Sequence, residues 1–201
     1  YSASGDKSVI AWELPSGKQK GRITSNAALR TVSAGTFVAT GGEDPTVKLF
    51  PLGGGELAKS FEGHGSALTT LSFAPSGPRL ASGGIDGTVR LWDTSTGQSL
   101  GVLDGHDVFP LSLAWTEDGK RLASSGYNTV HVWDPVSKNE LARLAGHAQP
   151  VTTIAWAPSS KGLALGSMDR TLRLFGPSAR RLDAHTGPVT AVAFAPQGAV
   201  V

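Results

Sequence analysis

Apolar and polar residues along this chain alternate in short runs and never settle into a longer rhythm. In Val89-Arg90-Leu91-Trp92-Asp93, a strand would place Val89, Leu91 and Asp93 on one face and Arg90 and Trp92 on the other. Val130-His131-Val132-Trp133 and Leu172-Arg173-Leu174-Phe175 repeat the pattern. Alternation over about five residues, rich in β-branched and aromatic side chains, predicts strands. Turn-forming clusters separate them: Ala74-Pro75-Ser76-Gly77, Thr116-Glu117-Asp118-Gly119 and Ala157-Pro158-Ser159-Ser160. No stretch holds a helical period, so the fold class is all-β.

The runs recur. Gly63-His64 is followed by Leu71-Ser72-Phe73, Leu80-Ala81-Ser82 and Asp86 through Asp93. Gly105-His106 leads into Leu113-Ala114-Trp115, Leu122-Ala123-Ser124 and Asn128 through Asp134. Gly146-His147 leads into Ile154-Ala155-Trp156, Leu163-Ala164-Leu165 and Asp169 through Phe175. The closing aromatic falls at positions 12, 50, 92, 133 and 175, and the opening histidine at 64, 106, 147 and 185. Four short strands in a unit of about 40 residues is the arithmetic of a β-propeller blade.

With a Gly-His opening and a Trp-Asp close in several copies, the chain resembles the WD-repeat family over essentially its whole length. The resemblance implies four-stranded antiparallel blades set radially around a channel, first strand innermost and fourth outermost. The expected single propeller domain, 1–201, has blade equivalents at 24–61, 62–103, 104–144 and 145–182, and a fifth split between 183–201 and 1–23. Joining the ends would bring His185, Ser2, Asp6 and Trp12 into register. A closed five-bladed ring and a window cut from a longer array, such as seven blades, both fit this spacing; a split inside a hairpin and a first residue other than Met favour the window.

The resemblance also assigns the recurring polar residues to a buried chain: Trp ring N–H to Ser, to His, to Asp. The set His64, Ser82, Asp86 and Trp92 is complete. His106, Ser124 and Trp133 have Asn128 where Asp is expected, in a turn one residue shorter. His147 and Asp169 persist, but Leu165 replaces Ser and Phe175 replaces Trp. Thr40, Asp44 and Phe50 have Thr24-Ser25-Asn26 ahead of them instead of Gly-His. These last two blades are expected to be the softer ones. Because each His belongs to its own blade, a structural role is favoured over a catalytic one.

Composition trims the alternatives. Charged residues make up 17% and hydrophobic ones 39%, which excludes a disordered chain or a coiled coil. A net charge of +2 gives no general argument for nucleic acid. There are no cysteines, no phosphate-binding loop and no metal-ligand spacing, so no cofactor or metal is expected. Mean hydropathy is −0.06, and no apolar run suggests a membrane span.

Function therefore has to be sought on the surface. The resemblance places Ile85, Tyr127 and Met168 just before the turn Asp or its equivalent, and Val108 and Phe109 just after a Gly-His, on one face. They form a candidate protein- or peptide-binding surface. A second candidate is basic: between 145 and 182, Lys161, Arg170, Arg173, Arg180 and Arg181 face one acid, Asp169. The favoured reading is a non-catalytic interaction scaffold. A regulatory or sensory module of a larger enzyme or signalling protein is the alternative. Binding of RNA or an anionic surface through the basic blade is a weaker one.

Overall fold

The computed structural model describes residues 1–158, 160–177 and 179–195. Among these the chain forms strands only. β1 (Ser2–Ala3), β2 (Ser8–Glu13) and β3 (Lys18–Thr24) make the first sheet. The second contains β4 (Leu29–Ala34), β5 (Val38–Gly42), β6 (Val47–Phe50) and β7 (Lys59–Phe61). The third contains β8 (Leu68–Phe73), β9 (Arg79–Gly84), β10 (Val89–Asp93) and β11 (Ser99–Leu103). The fourth contains β12 (Ser112–Trp115), β13 (Leu122–Ser125), β14 (Thr129–Trp133) and β15 (Glu140–Ala145). The fifth contains β16 (Val151–Trp156), β17 (Leu163–Ser167), β18 (Leu172–Phe175) and β19 (Arg180–Leu182). Each is a simple antiparallel meander, the arrangement the alternation and tight turns predict. No helix is long and apolar enough to cross a membrane among the described residues.

Successive sheets stack like blades. β4 packs on β8, β8 on β12 and β12 on β16, so the leading strands line one side of the array. The second strands β5, β13 and β17 are buried along their whole length, whereas β19 is exposed throughout. Burial thus falls from the inner strands to the outermost.

The core lies between sheets, and the alternation in β10 explains it. Val89 and Leu91 join Leu113, Trp115, Leu122 and Trp133 between the third and fourth sheets. Trp92 faces the other way, joining Leu49, Phe61, Leu68 and Leu80 between the second and third. Trp12 lies on the face of its sheet turned away from the second sheet and is 45% exposed.

Rivets repeat at the blade period. Trp115 Nε1 donates to the Ser72 carbonyl at 3.0 Å, and Trp156 Nε1 to the Ala114 carbonyl at 3.0 Å. Arg79 lies over the Trp115 ring and donates to the Gly119 carbonyl; Arg121 lies over Trp156 and donates to the Ser160 carbonyl.

The segment after β19 continues the pattern as far as it is described. Thr152 Oγ1 donates to the Val189 carbonyl, as Thr69 Oγ1 does to that of Pro110 one sheet pair earlier. The sequence over Val189–Phe194 alternates like a leading strand, but there only Phe194 forms a bridge. Its expected hairpin partner, Gln197–Val201, lies outside the described residues.

The sheets meet closely where glycines sit. A Cβ on Gly83 would fall 2.6 Å from Pro110 Cγ in the next sheet and 2.8 Å from Thr70 Cγ2. Gly83→Ala should therefore cost about 1–3 kcal/mol, read as a lower urea midpoint. Gly5→Ala, which meets nothing within 4 Å, is the control expected to leave the midpoint in place.

Candidate functional site

The polar residues at the turn end of the third sheet form one directed chain. Trp92 Nε1 donates to Ser82 Oγ at 2.7 Å, and Ser82 Oγ lies 2.7 Å from His64 Nε2. His64 Nδ1 meets Asp86 Oδ2 at 2.9 Å. A neutral imidazole carrying its proton on Nδ1 satisfies every contact: the indole and imidazole N–H groups donate, and Nε2 accepts from the serine. Asp86 also accepts from the Gly65 amide at 2.8 Å and from the Thr88 amide and hydroxyl. Burial opposes ionisation of Asp86, but the Gly65 and Thr88 donors and His64 outweigh it and hold the carboxyl below its ordinary range. Burial lowers the His64 pKa against the pull of Asp86. The chain therefore ties strands β9 and β10 to the loop ahead of β8.

The glycine before the histidine has a backbone reason. Gly63 adopts φ +149, and a Cβ there would lie 3.2 Å from the Trp92 ring.

The fifth sheet keeps half of this chain. His147 Nδ1 meets Asp169 Oδ2 at 2.8 Å, and Asp169 accepts from the Ala148 amide and from the Thr171 amide and hydroxyl. Burial resists, yet the Thr171, His147 and Ala148 donors hold the Asp169 carboxyl well below the ordinary range. With Leu165 and Phe175 in place of Ser and Trp, His147 Nε2 is buried without a partner. In the second sheet a cation takes over the role of the histidine: Lys48 Nζ bonds both Asp44 and Asn26 Oδ1. Thr40 Oγ1, across the ladder from Lys48, is left without a partner.

The fourth sheet departs from expectation. Trp133, Ser124 and His106 are linked at 2.7 and 2.6 Å. Asn128, however, makes no hydrogen bond among the described residues, and no carboxylate meets His106 Nδ1, although Gly126 lies beside that ring as Gly84 lies beside His64. The acid comes instead from β15. Glu140 accepts from His131 Nδ1 at 3.0 Å, and the His131 ring lies 4.2 Å from that of His106. Burial, and then the neighbouring His131, push the His106 pKa from 6.5 down to about 3. His131 stands at the strand position of Arg90 and Arg173, and its pairing with Glu140 was not anticipated from the sequence.

Of the split set, the structure brings Ser2 and Trp12 together. Trp12 Nε1 donates to Ser2 Oγ at 2.8 Å and Asp6 caps its own turn through Ser8. His185 is exposed and bonds neither of them among the described residues.

The loops carry the surface candidates. Ile85 is 41% exposed, Val108 37%, Phe109 36%, Tyr127 49% and Met168 49%. Three of these backbones are pinned: the Ile85 amide donates to the Ala67 carbonyl, Met168 to Pro150, and the Tyr127 carbonyl accepts from Val151 of the next sheet. Arg170 is exposed in the turn beside Met168, at φ +69. Among the described residues no three His, Asp or Glu side chains group as metal ligands.

Stacked antiparallel meanders, four of them four-stranded among the described residues, with a buried Trp–Ser–His–Asp chain complete in the third sheet and partial in the fourth and fifth, define a repeat protein of the β-propeller class. The family model described as WD domain, G-beta repeat matches residues 55–93, 97–134, 138–175 and 176–201, and the chain belongs to the WD-repeat family. It is also 34% identical over 83 residues to the ribosome biogenesis protein WDR12 homolog of Oryza sativa subsp. japonica. That match covers 38% of this chain and 19% of the rice protein, so the chain spans a small part of that relative.

Two measurements bear on the networks. His64→Ala strands Ser82 and Asp86 together and should cost about 2–3 kcal/mol, against about 1 for His147→Ala, whose Nε2 has no partner to lose; equal urea midpoint shifts would contradict this. The second concerns pH. His106 stays neutral in the fold but protonates in the unfolded chain, so its contribution is intact above pH 6.5 and is lost as pH falls toward 3. His64 and His131 act in the same direction. The urea midpoint should fall between pH 7 and 4.5, and His106→Gln should start lower but decline less steeply.

Proposed function

We propose that this chain is a non-catalytic scaffold that holds a protein or peptide partner against the face formed by its turns and inter-sheet loops. The observation that carries the reading is the row of exposed apolar side chains at corresponding places in consecutive sheets: Ile85, Val108, Phe109, Tyr127 and Met168. Apolar and aromatic side chains held out on rigid turns supply contact area at little ordering cost. Chemistry of the acid–base kind is not the use of the histidines: His64, His106 and His147 are each spent within their own sheet. Membership of a repeat family and likeness to a protein named for ribosome biogenesis support an assembly role.

The test is partner capture by the natural protein with Phe109→Ala and Tyr127→Ala combined. Capture should fall at least tenfold, corresponding to about 1.4 kcal/mol or more, with the thermal midpoint unchanged. Retained capture with a lowered midpoint would show that the two rings serve loop packing instead.

A further inference from the structure

The fifth sheet contains a feature that its sisters lack. Arg173 of β18 lies directly across from Arg181 of β19. Like charges opposed across a ladder repel. In the third sheet the same pairing is Arg90 with Val102; in the fourth it is His131 with Arg143, and Glu140 bonds both. In the fifth, no acid sits between the two arginines among the described residues. Arg181 pairs only outward, with Asp183, at an exposed site where such a bond contributes little.

The Arg173 guanidinium packs on Gly146, where a Cβ would lie 3.1 Å from Nη1, with its Nε buried and unpartnered, just as Arg90 packs on Gly63 in the third sheet; what sets the fifth sheet apart is the second arginine opposite. Arg170 adds a third cation from the turn. It adopts φ +69, the conformation this turn position also takes at Lys7 in the first sheet and at Gly87 in the third.

These three guanidinium groups line one open cleft of about 440 Å³, with Asp169, Met168 and Gln149 among its walls. Asp169 turns its oxygens inward, to His147, Thr171 and the Ala148 amide. A dianion bound in the cleft would offset the repulsion between the opposed arginines, with Arg170 beside them as a third cation. We propose that this cleft receives a phosphorylated side chain of a peptide partner. Guanidinium forks match phosphate oxygens, and three of them against one committed carboxylate balance a dianion better than a single carboxyl group. No aromatic ring lines the cleft to stack a base, which disfavours RNA. The inference rests on the reading of the chain as a peptide-binding scaffold and assigns one pocket of it.

The probe is a degenerate phosphothreonine peptide pool, compared with the same pool unphosphorylated, the pool carrying Glu at that position, and single-stranded poly(U). The phosphorylated pool should be retained at least tenfold over the other three, and retention should fall with added salt. Arg170→Gly with Arg181→Ala should abolish that preference. Because glycine suits the turn, the urea midpoint of the double variant should hold or rise, which a purely structural role for these arginines would not allow. Phe109→Ala with Tyr127→Ala should keep phosphopeptide retention whatever it does to protein capture, so the cleft and the apolar face are judged separately. Equal retention of the Glu pool or of poly(U), or a preference that survives Arg170→Gly with Arg181→Ala, would overturn the proposal.

Discussion

Everything in this molecule follows from sheets that are apolar on both faces. Val89 and Leu91 on one side of β10 and Trp92 on the other are all nearly inaccessible to water. Each such side chain gains about 1.5–3 kcal/mol on burial, so a sheet of this kind is stable only between neighbours. The four cores therefore sit between sheets and not within them, and each contact is a variation on the last. Repetition of sequence is the simplest way to make every face fit the next.

That constraint creates the polar network. Burying an indole drags its N–H out of water, and a buried donor without an acceptor is costly. Ser82 and Ser124 answer for Trp92 and Trp133. The serine hydroxyl in turn needs an acceptor, which a neutral histidine supplies. In the third sheet the sequence of demands ends at Asp86, whose remaining oxygen capacity reaches the Gly65 amide and so positions the loop. The substitutions in the fifth sheet obey the same logic. Phe175 has no N–H, so Leu165 can replace the serine without stranding the ring; the orphan moves to His147 Nε2.

The sheets, their order and the complete chain of the third blade were legible in the sequence, because they depend on local alternation and on a repeat that aligns with itself. What escaped was whatever one blade solved by a different route. Lys48 serves Asp44 in place of a histidine, and Glu140 serves His131 from the outermost strand. Lys48 stands at the strand position of Arg90, His131 and Arg173, none of which bonds a turn acid among the described residues, and Glu140 where the third sheet has Ser99, so an alignment of the copies signals neither partnership. Asn128 illustrates the reverse case: it occupies the expected place in the repeat, but deletion of one residue changes the turn, and position alone does not carry a role across. The opposition of Arg173 and Arg181 needed the ladder register, because β19 has no pattern of its own.

The same economy separates fold from function. Histidine, serine and aspartate are consumed in holding turns, and the turns are thereby fixed well enough that the neighbouring position is free to vary. That position is Glu43 in the second sheet, Ile85 in the third, Tyr127 in the fourth and Met168 in the fifth, all exposed. A side chain placed there is presented on a backbone tied to the adjoining loops, through the amide at Glu43, Ile85 and Met168 and through the carbonyl at Tyr127. Changing it alters the surface without touching the core. The array thus offers a partner several independently adjustable contacts at fixed spacing, and the specificity of the whole face comes from their combination and not from any single blade.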